Sequence, residues 1–114
     1  MKYRFALILG LWLAVCWLSM APAWAATADA PIRPAPLFEY HCAGCHPNGG
    51  NIIRRGKTLK QRALIRNGYE SAAAMATLIA QGKGNMSAFG DRLSAAEIQA
   101  LTQYVLAQAT ANWQ

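Results

Sequence analysis

The clearest pattern of apolar and polar positions lies near the end of the chain. Ile98, Leu101, Val105 and Ala109 recur at helical spacing and make one apolar face. Ser94 and Glu97 form a capping box ahead of that face, and Leu93 with Ile98 fits a hydrophobic staple. Upstream, the Ala-rich stretch over 71–81 has high helix propensity, and Gly82 is placed to stop it. Thr58 predicts the N-cap of another helix running to residue 67, which Gly68 ends. A short first helix is expected over 36–46, with Pro36 in its first turn and Leu37, Phe38 and Tyr40 as its apolar content. Nothing stable should begin before Pro36. Loops rich in Gly and Asn are expected over 47–56 and 82–90. No run alternates with period two and no internal repeat is visible, so the architecture reads as all-α.

The start of the chain follows a different rule. Lys2 and Arg4 precede an apolar run over 5–18 that closes near Ala23-Trp24-Ala25. A charged n-region, an apolar h-region and a small-x-small site predict a secretory signal peptide over 1–25, cleaved after Ala25. A membrane anchor needs about 20 apolar residues, and Ser19 and Pro22 interrupt this run too early. Lipidation at Cys16 is disfavoured, because Val15 is bulky where a small residue is wanted. Pro31 and Pro34 among small residues make 26–35 an extended Pro-rich leader, and 36–114 is the expected folded domain. A chain of 114 residues has room for one domain. With its leader removed, the core is thin enough to need a staple.

The net charge of +6 changes the picture little. Beyond Lys2 and Arg4, most of the excess sits at Arg54, Arg55, Lys57, Lys60, Arg62 and Arg66. No aromatic residue interleaves them. A nucleic-acid platform would need stacking residues there, so the run reads as a solvated face or a docking patch.

The cysteines suggest the staple. An exported pair would ordinarily read as a disulfide, but Cys42-Ala43-Gly44-Cys45-His46 is a C-x-x-C-H run, the attachment signature of c-type haem. Two thiols three positions apart on one turn can each bond a neighbouring vinyl group, while the adjacent histidine reaches the iron. Ala43 and Gly44 are small enough to let the backbone lie close to the porphyrin. A zinc site would need four ligands, and His41 is the only further candidate. A thioredoxin-like pair belongs in a βαβ setting that this pattern lacks.

What fills the sixth position of the iron separates electron transfer from ligand chemistry. Met1 and Met20 fall in the signal peptide, and Met75 falls in an apolar stripe with Leu78 and Ile79, where core packing explains it. Met86 sits in Gly82-Lys83-Gly84-Asn85-Met86, whose glycines let a loop fold over the far face of a haem. His46 and Met86 are therefore the expected axial ligands, and a thioether partner raises the reduction potential. His41 is expected at the surface. Phe38 and Tyr104 are expected to pack between the first and last helices.

These residues resemble the cytochrome c6 family. The similarity runs from Phe38 onward through the C-x-x-C-H motif, Asn51, Lys57-Thr58-Leu59, Ala63-Leu64, Gly82-Lys83, Met86, Ala88-Phe89-Gly90, Arg92-Leu93, Tyr104-Val105-Leu106 and Trp113. The resemblance implies a small class I cytochrome c fold, three to four helices wrapped around one covalently attached haem c. It implies an exported monomer in the thylakoid lumen or periplasm, taking one electron from the cytochrome b6f complex to photosystem I or a terminal oxidase. Docking to those membrane complexes would be transient. By position Arg92 falls on an arginine the family uses in partner reduction, and Arg54 to Arg66 would steer encounters with acidic surfaces.

Four positions depart from the family pattern. Ser87 stands in place of a proline, Arg55 in place of a loop proline, Pro34 in place of a first-helix glycine, and Leu78 in place of a glutamine near the haem. Losing that polar group predicts a lower potential than in typical members. Two rival functions remain open on the sequence. One is a haem protein with a labile sixth ligand, used in gas binding or peroxidase chemistry, and the other is a haem subunit bound in a larger complex.

Overall fold

A computed structural model describes residues 30–114, so the expected signal peptide lies outside the described residues. Four α-helices occur among them: α1 (Pro34–His41), α2 (Gln61–Asn67), α3 (Ala72–Gln81) and α4 (Ala95–Thr110). Two single turns of 3-10 helix, Pro47–Gly49 and Arg55–Lys57, punctuate the stretch between α1 and α2. The β-type pairing seen among the described residues is an isolated bridge, Lys83 to Met86. The all-α reading holds.

The last helix forms as its sequence dictates. The Ser94 hydroxyl accepts the Glu97 N–H at 3.2 Å, while the Glu97 carboxylate accepts the Ser94 N–H at 2.8 Å, completing both arms of the capping box. Its face of Ile98, Leu101, Val105 and Ala109 is buried. α4 packs mainly against α1 and α3 and more lightly against α2. Phe38, Leu64, Met75, Ile79, Phe89 and Leu93 complete the core, with Met75 buried in it as expected. Ser71 caps α3 by accepting the Ala74 N–H at 3.2 Å, and Gly68 ends α2 in the left-handed region at φ +76°.

Two boundaries differ from expectation. α1 starts at Pro34, two residues early, because proline costs no hydrogen bond in a first helical turn. It also stops at His41 and does not run on to His46. The Cys42 and Ala43 N–H groups both donate to the Phe38 carbonyl, at 2.8 and 2.9 Å, and Cys42 leaves helical geometry. The Cys45 and His46 N–H groups then turn back onto the Cys42 carbonyl.

Thr58 is the second correction. It is extended, at φ −72° and ψ 163°, and Lys60 takes the N-cap position of α2 without a side-chain cap. The reason is tertiary. Leu59 is buried and its N–H donates to the Gly49 carbonyl at 2.8 Å, which ties this strand of chain to the loop after the cysteines and holds it out of the helix.

The chain end closes the same region. Trp113 donates its indole N–H to the Leu59 carbonyl at 3.0 Å and lies 5.0 Å from the Phe38 ring, centroid to centroid. Phe38 and Tyr104 sit 5.5 Å apart, so they join the first and last helices as expected. Gly49 has φ +71°, and the indole covers the side where a Cβ would project, so a larger residue fits neither the backbone nor the space.

Candidate functional site

The end of α1, the segment after it, α2, α3 and the loop before α4 surround a cavity of about 430 Å3. That volume falls in the range of small-molecule and cofactor sites. Phe38, Leu64, Leu78, Ile79, Leu101 and Val105 make its walls apolar. Cys42, Cys45, His46 and Met86 all line it, although forty residues of sequence separate the motif from the methionine.

Cys42 and Cys45 are both free thiols, with no disulfide between them. Burial pushes the Cys42 thiol up to about 11, with the neighbouring Cys45 adding to the effect, so it stays protonated at neutral pH. His46 is only 9% exposed. Its Nδ1 lies 2.8 Å from the Gly50 carbonyl oxygen. A carbonyl can only accept, so Nδ1 carries the hydrogen and Nε2 is left with a lone pair for a metal. This orienting contact is the kind that metal-binding histidines use.

Met86 is held by its backbone. Its N–H donates to the Lys83 carbonyl at 3.1 Å and its carbonyl accepts the Lys83 N–H at 3.0 Å, closing a two-residue turn at Gly84-Asn85. Gly82 makes the approach possible, because at φ +67° a Cβ would stand 2.5 Å from the Met86 carbonyl oxygen. Beyond the turn, the Phe89 and Gly90 N–H groups donate to the Ile79 and Ala80 carbonyls, each at 3.0 Å, which staples the loop to α3.

His41 corrects the sequence reading. It is half-buried and lines the cavity, with its ring edge-on to Phe89 at 5.8 Å, because α1 ends there and Phe89 packs against that end. Arg92 is exposed and does not line the cavity. Its guanidinium stacks 4.4 Å from the centroid of Phe89, which does, and donates to the Ala88 carbonyl at 2.9 Å. Thr58, expected as an N-cap, lines the cavity, and Tyr69, Asn67 and the Gly50 carbonyl also belong to the site, though sequence reasoning missed those three. No motif marks them, since folding alone brings them to the rim. Among the described residues no three His, Cys, Asp or Glu side chains gather as a metal site.

Comparison with known proteins bears on this arrangement. A family model described as cytochrome c oxidase, cbb3-type, subunit III matches residues 29–105. A cytochrome c6-like protein of Nostoc sp. (strain PCC 7120) is 49% identical over 88 residues, covering 77% of this chain and 79% of its own. The crystal structure of cytochrome c6C from Synechococcus sp. PCC 7002 superimposes with a TM-score of 0.67 at 64% identity, over 68% of this chain and 95% of that one. The chain belongs to the cytochrome c6 family. Oxidised cytochrome c6A from Arabidopsis thaliana is a more distant neighbour, at 35% identity and a TM-score of 0.69 over 71% of this chain and 91% of its own.

Membership makes the fold a class I cytochrome c fold, the protein a c-type cytochrome electron carrier and the cofactor one covalently bound haem c. The residues present fit that group. Free thiols at the attachment spacing, an oriented imidazole, a thioether and apolar walls converge on one cavity. A haem attached through two thioethers and held by His/Met ligation would draw on all of these, and a disulfide would have consumed the thiols.

Proposed function

We propose that this protein is a one-electron carrier of the thylakoid lumen or periplasm, with Cys42 and Cys45 as the thioether attachments and His46 and Met86 as the axial ligands of its haem. The observation that carries the reading is the convergence of His46 and Met86 on one cavity, each already oriented by backbone contacts. When bound, the group supplies an iron that passes between ferric and ferrous states. The chain's part is to keep both ligands in place through that change, so that little rearranges on electron transfer. The Gly50 carbonyl holds the imidazole and the Lys83 turn holds the methionine. Apolar walls exclude water, and a soft sulfur ligand favours the ferrous state.

The proposed donor is the cytochrome b6f complex, and the acceptor photosystem I or a terminal oxidase. Arg92, exposed and fixed on Phe89, is the proposed docking residue, and the cations between Arg54 and Arg66 steer the approach. Visible spectra of purified holoprotein, oxidised and reduced, test attachment and ligation together. The expected result is a pigment that acid acetone does not strip and a reduced form that does not bind carbon monoxide at neutral pH. Ready carbon monoxide binding would favour the open-iron alternative of gas binding or peroxidase chemistry.

One observation supports a second reading, a haem subunit bound in a larger complex: the matching family model describes an oxidase subunit. Fractionation separates the two. A carrier comes off the membrane in salt alone, whereas a bound subunit stays with its complex.

A further inference from the structure

Among the described residues, the charged side chains that line the cavity are Arg54, Lys57 and Lys83, and no Asp or Glu lines it. A cavity with cations alone at its rim is built to receive anions, because an ionised carboxylate taken out of water needs a charged partner. A haem c brings two such groups, its propionates.

The three cations are not equivalent. The Lys57 ammonium is engaged at 2.6 Å by the Asn67 side-chain oxygen, and the Lys83 ammonium donates to the Tyr69 hydroxyl at 3.1 Å. The Arg54 guanidinium has no hydrogen-bond partner among the described residues, yet its backbone is firmly placed. Asn51 accepts the Arg54 N–H at 2.7 Å and the Ile53 N–H at 2.9 Å, and donates to the Lys57 carbonyl at 3.0 Å. One side chain thus clips both ends of the loop that carries Arg54. Arg54 and Arg55 are both exposed, but of the two it is Arg54 that lines the cavity.

We infer that Arg54 is the residue that pairs with a haem propionate, presenting its planar N–H fork to the carboxylate from a loop pinned by Asn51. The inference rests on the haem-carrier reading above. A guanidinium matches a carboxylate two bonds at a time, which an ammonium cannot do. The pairing has a redox consequence. A cation beside the haem opposes the extra positive charge of ferric iron, so Arg54 raises the reduction potential and acts against the lowering expected from Leu78.

The test compares midpoint potentials of wild type, Arg54→Gln, Arg54→Lys and Arg55→Gln, each at low and high salt. The expected result is a downward shift for Arg54→Gln that survives high salt, a smaller one for Arg54→Lys, and for Arg55→Gln a shift that salt screens away. No shift in Arg54→Gln, or equal shifts in Arg54→Gln and Arg55→Gln, would overturn the assignment. A crystal structure of wild-type holoprotein decides independently, should Arg54→Gln not accumulate. A guanidinium N–H within hydrogen-bond distance of a propionate oxygen upholds the pairing, and one turned to solvent sinks it. Wild type without covalent haem, judged by resistance to acid acetone, would instead bring down the carrier reading itself.

Discussion

At the scale of single residues, Leu78 and Thr102 carry the sharpest expectations. Leu78 lines the cavity and is half-buried, so whatever it carries is felt by the cofactor. Restoring a polar amide with Leu78→Gln is expected to raise the midpoint potential, as read by redox titration against wild type. An unchanged or lower value would remove Leu78 as a determinant. Thr102 is wholly buried on α4, and its hydroxyl has no hydrogen-bond partner among the described residues. An orphaned hydroxyl costs about 1–3 kcal/mol, and valine replaces it with a methyl of similar shape. Thr102→Val is therefore expected to stabilise the holoprotein by about 1 kcal/mol in urea unfolding. A lower unfolding midpoint would mean the hydroxyl has a partner, such as an internal water.

Elements bring their own chemistry, and the loop between α3 and α4 is the most constrained. Gly82 works at φ +67° and ψ 177°, a region open essentially to glycine alone, against the Met86 carbonyl, so Gly82→Ala adds about 1–3 kcal/mol of backbone strain as well as a clash. The expected outcome is a displaced Met86, seen as carbon monoxide binding by the reduced variant where wild type binds none. The capping box of α4 predicts a pH effect. The Glu97 carboxyl is held below its ordinary range, first by the Ser94 backbone N–H and then by the Ser94 hydroxyl. A group whose folded pKa is depressed contributes stability above its unfolded value and loses it as pH falls through the lowered one. Thermal melts of Glu97→Gln should accordingly change less than wild type across that acidic window. Parallel losses in both proteins would place the acid sensitivity elsewhere.

The elements also mark where local signals were legible. Ser94, Glu97, Ser71, Gly68 and Gly82 each stand where a helix begins or ends, because caps are settled by groups within a few residues of one another. Thr58 carried the same signal and was overruled. Its neighbour Leu59 is tied to Gly49 and to Trp113, contacts that span too much chain for any local rule to register. His41 failed as an expectation for the same reason, since Phe89 arrives from the far side of the sequence.

For the whole molecule, a short chain arranges much of its apolar surface around a cavity, so the cofactor belongs to the core as well as to the function. A Cys42→Ser/Cys45→Ser variant produced without haem is expected to unfold without a cooperative transition in near-ultraviolet circular dichroism. A sharp melt would show that the helices suffice alone.

What the amino-acid sequence determined unaided was the helical class, the Gly82 stop of α3, the capping box that starts α4, and the haem-attachment motif, because each depends on residues close together along the chain. Only the tertiary structure decided that Met86 shares a cavity with His46, that the Gly50 carbonyl orients the imidazole, and that Arg54 rather than Arg55 reaches the rim. Those are contacts between distant segments. They are set by how the apolar faces of four helices pack, a constraint that no local window of sequence contains.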